Sequence, residues 1–482
     1  MKKIRENIHN YEKLRTLFQE NSISVVSIVE HFLEEADKQK KHNAFIEVFT
    51  EEILNKAKIA DQNFRLKKEK PLEGMLVAIK DNILYKSHHC TASSKILKGF
   101  IAPYSATIVN KLIANGAIIV GRTNCDEFAM GSTGQFSSYG TTLNPHNKAY
   151  VSGGSSSGSA AAVALNLCHI AIGSDTGGSV RLPASWCGIY GLKPTYGRIS
   201  RFGLIAYANS LDHLGIMSND LGNIEKTLSI VSGADGRDLS IPSCGTEAYL
   251  PLDDKQRDKP SFIRIKELEE IIPLQSDVYN NYIGIVKSIS EKGYSIKEKS
   301  IPSIKEQVKA FQMIACAEAC SNMGRFDGIR YGQSLEEQSS AKDLITKNRT
   351  TFLGNEVKRK IVFGSYALHK AQRNNYYQKA QVFRKSLSNE IHSILKGNSF
   401  IISPTCPLTA CKKEEQLSFQ DQYRMDIFTV LANLTGLPAI NIPTGKGDNN
   451  LPLGIQLIAP LFNEAGLFNV SKLIAQLVYA QL

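Results

Sequence analysis

Two serines and a lysine in the first half of the chain have the side chains that a hydrolase without a catalytic histidine needs. Ser155 and Ser179 stand 24 positions apart (179 minus 155), in a stretch from 152 to 188 whose ends are rich in glycine and serine. A serine hydroxyl becomes a nucleophile when a neighbouring base takes its proton. None of the ten histidines lies in a recognisable triad motif, so the sequence points to a lysine as the base.

Lys80 ends an apolar run, LEGMLVAIKDNI at 72–83, which fits a buried strand that stops on polar groups. Burial disfavours the charged form of a lysine and lowers its pKa. We therefore predict that Lys80 is the base, that Ser155 relays the proton and that Ser179 is the nucleophile.

The elements between the two serines predict that the hydroxyls meet. Residues 157–167 favour a helix of about 16 Å, at roughly 1.5 Å per residue. Residues 168–174 favour a buried strand of roughly 23 Å. If the strand returns alongside the helix, Ser155 and Ser179 lie at the same end of both elements.

The turn after this strand has the sequence TGGS, and its glycines let successive N–H groups point into one concavity. Such a concavity suits a developing oxyanion. Asp175 and Arg181 are predicted to pair as a scaffold for the turn. The predicted oxyanion donors are the backbone N–H groups of Thr176, Gly177, Gly178 and Ser179.

A Gly/Ser-rich loop before a helix is also how phosphates are cradled. Residues 152–159 lack the lysine that follows the last glycine of a P-loop, which argues against a nucleotide site. The nine cysteines are odd in number and form no CxxC pair, so we interpret them as buried apolar residues and predict no metal site.

Apolar patterning along the rest of the chain alternates between helix and strand, which predicts the α/β class. We expect a single large α/β/α sandwich around a mixed central β-sheet, with a long loop at 131–158 and a helical insertion. The periodicity of residues 11–66 predicts an all-helical layer. The chain, 1–482, is one predicted domain, divided into a helical amino-terminal layer (1–66), a core with the Ser-Ser-Lys site (67–303), the helical insertion (304–395) and the carboxyl-terminal part of the core (396–482).

The composition is that of a globular protein, with 42% apolar and 21% charged residues. No apolar run reaches the roughly 18 residues of a membrane span, and the basic amino terminus has no apolar segment typical of a signal peptide. We therefore predict a cytoplasmic protein without membrane contact. The net charge of +11 is spread along the chain and no RNA-binding module is present, which favours a solvated basic surface.

Long motifs carry a resemblance to a known family. GGSSSGSAAAVAL at 153–165 and GSDTGGSVRLPASWCGIYGLKPTYGRISRFGL at 173–204 resemble the amidase signature family, which are Ser-Ser-Lys hydrolases of carboxamides. Within it the chain is similar to the A-subunit branch of the tRNA-dependent amidotransferases. That closer similarity is carried by VAIKDNI at 77–83, GRTNCDEFAMGS at 121–132 and DIFTVLANLTGLPAINIP at 426–443.

The resemblance implies an acyl-enzyme on Ser179, a relay serine at 155 that follows a non-proline cis peptide, and Lys80 as base. It implies glutamine as the ammonia donor, with Asp426 holding the glutamine ammonium and with further contacts at Gly131 and Ser132.

The chain departs from the family pattern at two substrate positions. Lys360 stands where an arginine is expected to hold the glutamine carboxylate, and a lysine binds a carboxylate as a point charge without the bidentate fork. Phe311 stands where a tyrosine is expected and has no hydroxyl to donate. Arg359 is a candidate to compensate.

The same resemblance implies a heterotrimer with B and C subunits. No cofactor is expected in this chain; ATP and Mg²⁺ would be used by the B subunit, which would also make the main tRNA contacts. The ammonia would convert Glu-tRNA(Gln) to Gln-tRNA(Gln), or Asp-tRNA(Asn) to Asn-tRNA(Asn). The alternatives are a free-standing amidase for another small amide and an inactive scaffold that binds partners.

Overall fold

An eleven-stranded sheet runs through this computed structural model, which describes residues 7–242, 259–335, 340–415 and 417–479. In chain order the strands are β1 (Phe45–Val48), β2 (Leu76–Lys80), β3 (Ile118–Thr123), β4 (Ile170–Asp175), β5 (Tyr190–Lys193), β6 (His213–Ser218), β7 (Ser261–Ile265), β8 (Ser295–Lys299), β9 (Ser399–Pro404), β10 (Ala439–Lys446) and β11 (Pro452–Ile458). Across the sheet the strand order is β1-β3-β2-β4-β6-β5-β10-β11-β9-β7-β8.

The sheet is mixed, as predicted. Strand β2 pairs in parallel with β3 and β4, whereas β4 pairs antiparallel with β6. Strands β2, β3 and β4 are buried along their whole length, which explains their continuous apolar sequences. Because parallel strands end at the same edge, the carboxyl ends of β2 and β4 bring Lys80 and Ser174 together.

Helices flank the sheet, and those expected from sequence periodicity are present within a few residues of the expected bounds. Between β8 and β9, the described residues of 302–335 and 340–394 are mainly helical. The helices are α1 (Tyr11–Gln19), α2 (Val25–Lys38), α3 (Thr50–Arg65), α4 (Thr107–Ala114), α5 (Ser157–Ala164), α6 (Arg181–Cys187), α7 (Leu221–Val231), α8 (Lys266–Glu270), α9 (Ser276–Glu291), α10 (Gln307–Met323), α11 (Ala341–Phe352), α12 (Asn355–Leu368), α13 (Tyr377–Ile394), α14 (Phe419–Met425), α15 (Val430–Thr435) and α16 (Glu464–Tyr479).

The amino-terminal layer is not all-helical, which corrects that prediction. Strand β1 lies between α2 and α3 and pairs antiparallel with β3 at one edge of the sheet. Its four residues are half-buried and too few to show a period-two pattern between two longer helical patterns.

Strands β5 and β6 pair antiparallel with each other and join the sheet through β10 and β4, respectively. The many Asp, Pro and Gly residues of 233–260 predict an exposed loop, of which residues 243–258 lie outside the described residues. Among the helices of the described residues, none combines the length and apolar character of a membrane span.

Candidate active site

Lys80 is the last residue of β2, and its side chain is fully buried. Its Nζ donates to three serine hydroxyls, at 2.7 Å to Ser155, 3.1 Å to Ser156 and 2.9 Å to Ser174. Burial lowers the pKa of Lys80 to about 8. A lysine with this pKa loses its proton at mildly alkaline pH, which is the property that a general base needs.

Ser155 follows a cis peptide bond from Gly154. Gly154 N donates to Ser132 O at 2.9 Å, and Asp126 N donates to Ser155 O at 3.1 Å. A side chain at position 154 would collide with the Asp126 carboxylate, so the close approach needs glycine. These contacts hold the buried Ser155 hydroxyl against Lys80.

Ser179 is joined to this pair through the backbone, because Ser156 N donates to Ser179 O at 3.1 Å. Ser179 is 9% exposed whereas Ser155 is fully buried, so Ser179 is the serine that a substrate can reach. The one hydrogen bond that the described residues give Ser155 Oγ is with Lys80. The three predicted residues lie together, and the relay through Ser155 stays a prediction.

The turn that ends in Ser179 differs from the prediction at one position. The Asp175 carboxylate accepts from Gly178 N at 2.9 Å and from Val180 N at 3.1 Å. The N–H of Gly178 is therefore already hydrogen-bonded to Asp175 and is not available to an oxyanion. The predicted donors that remain are the N–H groups of Thr176, Gly177 and Ser179.

Neighbouring side chains leave no room for a Cβ at either glycine of the turn. Gly178 has a φ of 134°, and a side chain there would collide with Thr429. A side chain at Gly177 would collide with the Phe311 ring. Thr429 Oγ1 also donates to Gly177 O at 2.6 Å, so a late segment of the chain packs directly on the turn.

Asp175 and Arg181 pair as predicted, with Nη2 of Arg181 2.9 Å from Oδ1 of Asp175 and both side chains fully buried. Burial alone would raise the pKa of Asp175, but Arg181 outweighs it and holds that pKa well below its usual range. Arg181 also donates to Thr429 O at 2.8 Å and to the side chains of Asn433 and Gln456. The ion pair therefore ties the turn to the carboxyl-terminal part of the core.

Replacing Asp175 by asparagine is expected to lower the free energy of unfolding by about 3–5 kcal/mol, because Arg181 becomes an unpaired buried charge. Urea unfolding measures the loss. Glu291→Gln is the control, because it breaks an exposed pair with Lys287 and should cost less than about 1 kcal/mol. Equal losses in the two variants would contradict the structural role of the buried pair.

The substrate side of the predicted site begins at Asp426, which follows α14 and is buried. Ser132 Oγ donates to Asp426 Oδ1 at 3.0 Å. Burial raises the pKa of Asp426 to about 7, while Lys360 and Ser132 act to lower it. Gly131 packs against Asp126, where a side chain would not fit. The predicted ammonium contacts therefore lie together.

Lys360 lies on α12 with its side chain buried. Its Nζ donates to Tyr207 Oη at 3.2 Å and lies 3.5 Å from Glu356 Oε1. Burial acts to lower the pKa of Lys360, but the Glu356 carboxylate and the hydrogen bond to the Tyr207 phenol outweigh it and hold that pKa above its ordinary range. Lys360 is also an electrostatic neighbour of Asp426, so a cation and an acid face the same region.

The two other predicted substrate residues have different surroundings. Arg359 pairs with Glu356, with Nη2 2.6 Å from Oε1, and its side chain is 42% exposed. Phe311, on α10, packs on Gly177 and forms an apolar wall beside the turn. A contact between Arg359 and a substrate carboxylate stays a prediction.

Asp126 supports the site and was not predicted from the sequence. Its carboxylate accepts from Gly134 N at 3.1 Å and Phe136 N at 2.9 Å, and burial raises its pKa to about 6. It lies under both Gly131 and Gly154. The signal available in the sequence was an acid between the apolar residues of GRTNCDEFAMGS.

A second buried aspartate, Asp212, supports the oxyanion turn. It accepts from Thr176 Oγ1 at 2.7 Å and from Tyr207 N at 2.9 Å. Burial raises its pKa to about 6. Asp212 lies 36 positions after Thr176, and no short sequence pattern shows this contact.

Comparison with known proteins finds a family model and relatives that cover most of the chain. The family model for amidases matches residues 27–468. The chain is 39% identical over 462 residues to the glutamyl-tRNA(Gln) amidotransferase A subunit of Brachyspira hyodysenteriae, covering 95% of this chain and 96% of that one. It is 40% identical over 469 residues to the protein of the same name from Legionella pneumophila strain Corby, covering 96% of each.

Solved structures show the same fold. The crystal structure of the glutamyl-tRNA(Gln) amidotransferase A subunit from Thermotoga maritima superposes with a TM-score of 0.75 at 34% identity, covering 92% of this chain and 90% of that one. A crystal structure described as an amidase gives a TM-score of 0.81 at 22% identity, covering 98% and 99%. This second likeness concerns the fold alone.

Proposed function

The chain belongs to the amidase family, and on that basis we propose that it releases ammonia from the side-chain amide of glutamine, as the A subunit of a tRNA-dependent amidotransferase. The observations that carry the proposal are a buried Lys80–Ser155 pair, Ser179 hydrogen-bonded to the next residue, and an acid at Asp426 with a cation at Lys360 near it. An acid and a cation suit the ammonium and carboxylate of a free amino acid.

The reaction begins with neutral Lys80, which takes the proton of Ser179 through Ser155 as the Ser179 oxygen attacks the amide carbon. The N–H groups of Thr176, Gly177 and Ser179 stabilise the tetrahedral oxyanion. When the C–N bond breaks, Lys80 returns the proton through Ser155 and ammonia leaves. A water then attacks the glutamyl ester, gives its proton to the same base and regenerates Ser179.

Glutamine is oriented through its α-ammonium and α-carboxylate groups. Asp426 and Ser132 receive the α-ammonium, and Lys360 attracts the α-carboxylate. Phe311 contributes an apolar wall beside the turn, which packs against the side chain of the substrate. This arrangement leaves the amide at Ser179.

The ammonia-consuming half of the reaction belongs, in this proposal, to B and C partner subunits of a heterotrimer. The B subunit uses ATP and Mg²⁺ and holds the tRNA, and Glu-tRNA(Gln) or Asp-tRNA(Asn) is the acceptor. Support comes from relatives that are named as subunits of such an enzyme and match over almost their full length.

Ammonia release is expected to depend on pH through Lys80. Below a pKa of about 8 the lysine holds a proton and cannot act as base, so kcat/KM for glutamine falls about tenfold per pH unit. Below about pH 7 Asp426 also gains a proton, and the fall becomes steeper. A profile of initial rates from pH 6 to 9 checks this, and a flat profile would contradict the lysine base.

The proposed function is tested by measuring ammonia release from glutamine by the full chain, alone and co-purified with its B and C partners. A panel of simple amides serves as the comparison. Preference for glutamine in the complex supports the proposal. Preference for another small amide would favour a free-standing amidase, which the missing hydroxyl of Phe311 makes the second candidate. Absence of any hydrolysis would indicate an inactive scaffold.

A further inference from the structure

The Tyr207 phenol is a buried polar group that the mechanism above does not use. Tyr207 is 4% exposed and lies in an apolar cluster that includes Phe311 and Ile427. Within the described part of the chain, Lys360 is the one hydrogen-bond partner of its hydroxyl. Burial raises the pKa of Tyr207 well above its ordinary value, so the phenol keeps its hydrogen. Since Lys360 donates to the phenol oxygen, that hydrogen remains for another acceptor.

The position of Tyr207 is fixed relative to the oxyanion turn. Asp212 accepts from the backbone N–H groups of Tyr207 and Ala208, at 2.9 Å and 3.0 Å, and from Thr176 Oγ1 at 2.7 Å. One carboxylate therefore ties the Tyr207 loop to the turn that carries Ser179. A phenol held in this way can position a substrate group at a set distance from the nucleophile.

The charges around Lys360 leave its cation available to a ligand. Arg359 binds Glu356 with two contacts, Nε to Oε2 at 2.8 Å and Nη2 to Oε1 at 2.6 Å. Lys360 lies farther from the same carboxylate, at 3.5 Å. Because Arg359 already balances Glu356, the ammonium of Lys360 keeps a net positive charge beside the acid at Asp426.

We propose that the Tyr207 phenol and the Lys360 ammonium together bind the α-carboxylate of the substrate, each donating one hydrogen bond. This inference rests on the proposed function, in which the substrate is glutamine. A lysine alone gives a carboxylate one point charge, whereas a lysine with a fixed phenol presents two convergent donors. Tyr207 is thus a specificity-determining residue that selects amino-acid amides over amides without a carboxylate.

The test compares two ligands that differ only in this group, glutamine and γ-aminobutyramide, which lacks the α-carboxylate. Binding to the full chain with Ser179→Ala, which cannot turn the ligand over, is measured by calorimetry with and without Tyr207→Phe. We expect Tyr207→Phe to weaken glutamine binding about tenfold, the loss of one hydrogen bond to a charged group. Binding of γ-aminobutyramide should change less than about twofold.

Tyr190→Phe is the matched control, because it removes another buried phenol, whose electrostatic neighbours are Tyr479 and Asp220. It should leave the binding of both ligands unchanged. With Ser179 intact, Tyr207→Phe should raise KM for glutamine about tenfold and leave kcat within about twofold, because a uniform binding contact is lost.

Equal weakening of both ligands by Tyr207→Phe would overturn the inference, since it would mean that the phenol only maintains the fold. Unchanged glutamine binding, or no glutamine binding by the full chain, would overturn it as well. If glutamine binds as expected but the chain with Ser179 intact releases no ammonia, alone or co-purified with its B and C partners, the proposed function fails and the carboxylate site stands.

Discussion

Replacement of Lys80 by methionine is expected to lower kcat for ammonia release from glutamine by at least about a thousandfold. Methionine keeps most of the apolar stem of lysine but cannot accept a proton. The ammonium that holds the hydroxyls of Ser155, Ser156 and Ser174 also disappears, so the serine that relays the proton loses its anchor. The measurement is steady-state ammonia release at saturating glutamine, near pH 9.

Lys111→Met provides the control for Lys80→Met. Lys111 is half-buried on α4, and its Nζ donates to the three backbone carbonyls of Val231, Ser232 and Gly233. Its replacement also removes three hydrogen bonds, none of them to a serine hydroxyl of the site, so activity per folded molecule should stay within about twofold. If Lys80→Met kept more than a tenth of the activity, another group would have to serve as the base.

Replacement of Ser179 by alanine is expected to reduce ammonia release by about ten-thousandfold or more while leaving glutamine binding intact. The change removes the attacking oxygen and leaves the backbone N–H donors of the turn in place. Acid-quenched wild-type protein should carry one glutamyl group on Ser179 during turnover, detectable by mass spectrometry after digestion. The alanine variant should carry none.

Ser152→Ala is the matched change in the same Gly/Ser-rich stretch. The buried Ser152 hydroxyl donates to Thr142 O and Gly153 O and does not touch Lys80. Activity of this variant should remain within about tenfold of wild type. A glutamyl adduct on any serine other than 179 would show that the nucleophile has been misassigned.

The central strands could be predicted because a strand that is buried on both faces has a continuous apolar sequence. The apolar runs that became β2, β3 and β4 are bounded by polar residues and glycines, and their ends carry Lys80 and Asp175. Edge strand β1 has no such apolar run. Its four residues are half-buried and too few to show the period-two pattern of a strand.

The chemical groups of the site could also be predicted, but their partners could not. Lys80 and the two serines are marked by residue type and by the ends of local elements. The hydrogen bond from Gly178 N–H to the Asp175 carboxylate depends on the side-chain conformation of Asp175 at the end of β4. The contact between Lys360 and Tyr207 joins residues 153 positions apart, and nothing local in either segment indicates it.

The strand order has a consequence for when this enzyme can first become active during its synthesis. Strands β10 and β11 lie in the interior of the sheet, with β10 hydrogen-bonded to β5, although nearly 250 residues separate β10 and β5 along the chain (439 minus 190 is 249). Arg181 likewise donates hydrogen bonds to residues much later in the chain, Thr429, Asn433 and Gln456. Pairings of such long sequence separation form late and slowly.

A nascent chain still on the ribosome therefore has the lysine and both serines but no finished sheet to hold them. The segment that packs on the oxyanion turn and supplies Asp426 is made only after about 250 residues beyond Ser179 have been added (429 minus 179 is 250). We therefore expect no ammonia release before the segment around Asp426 and Thr429 has been made, and none from a chain truncated ahead of it.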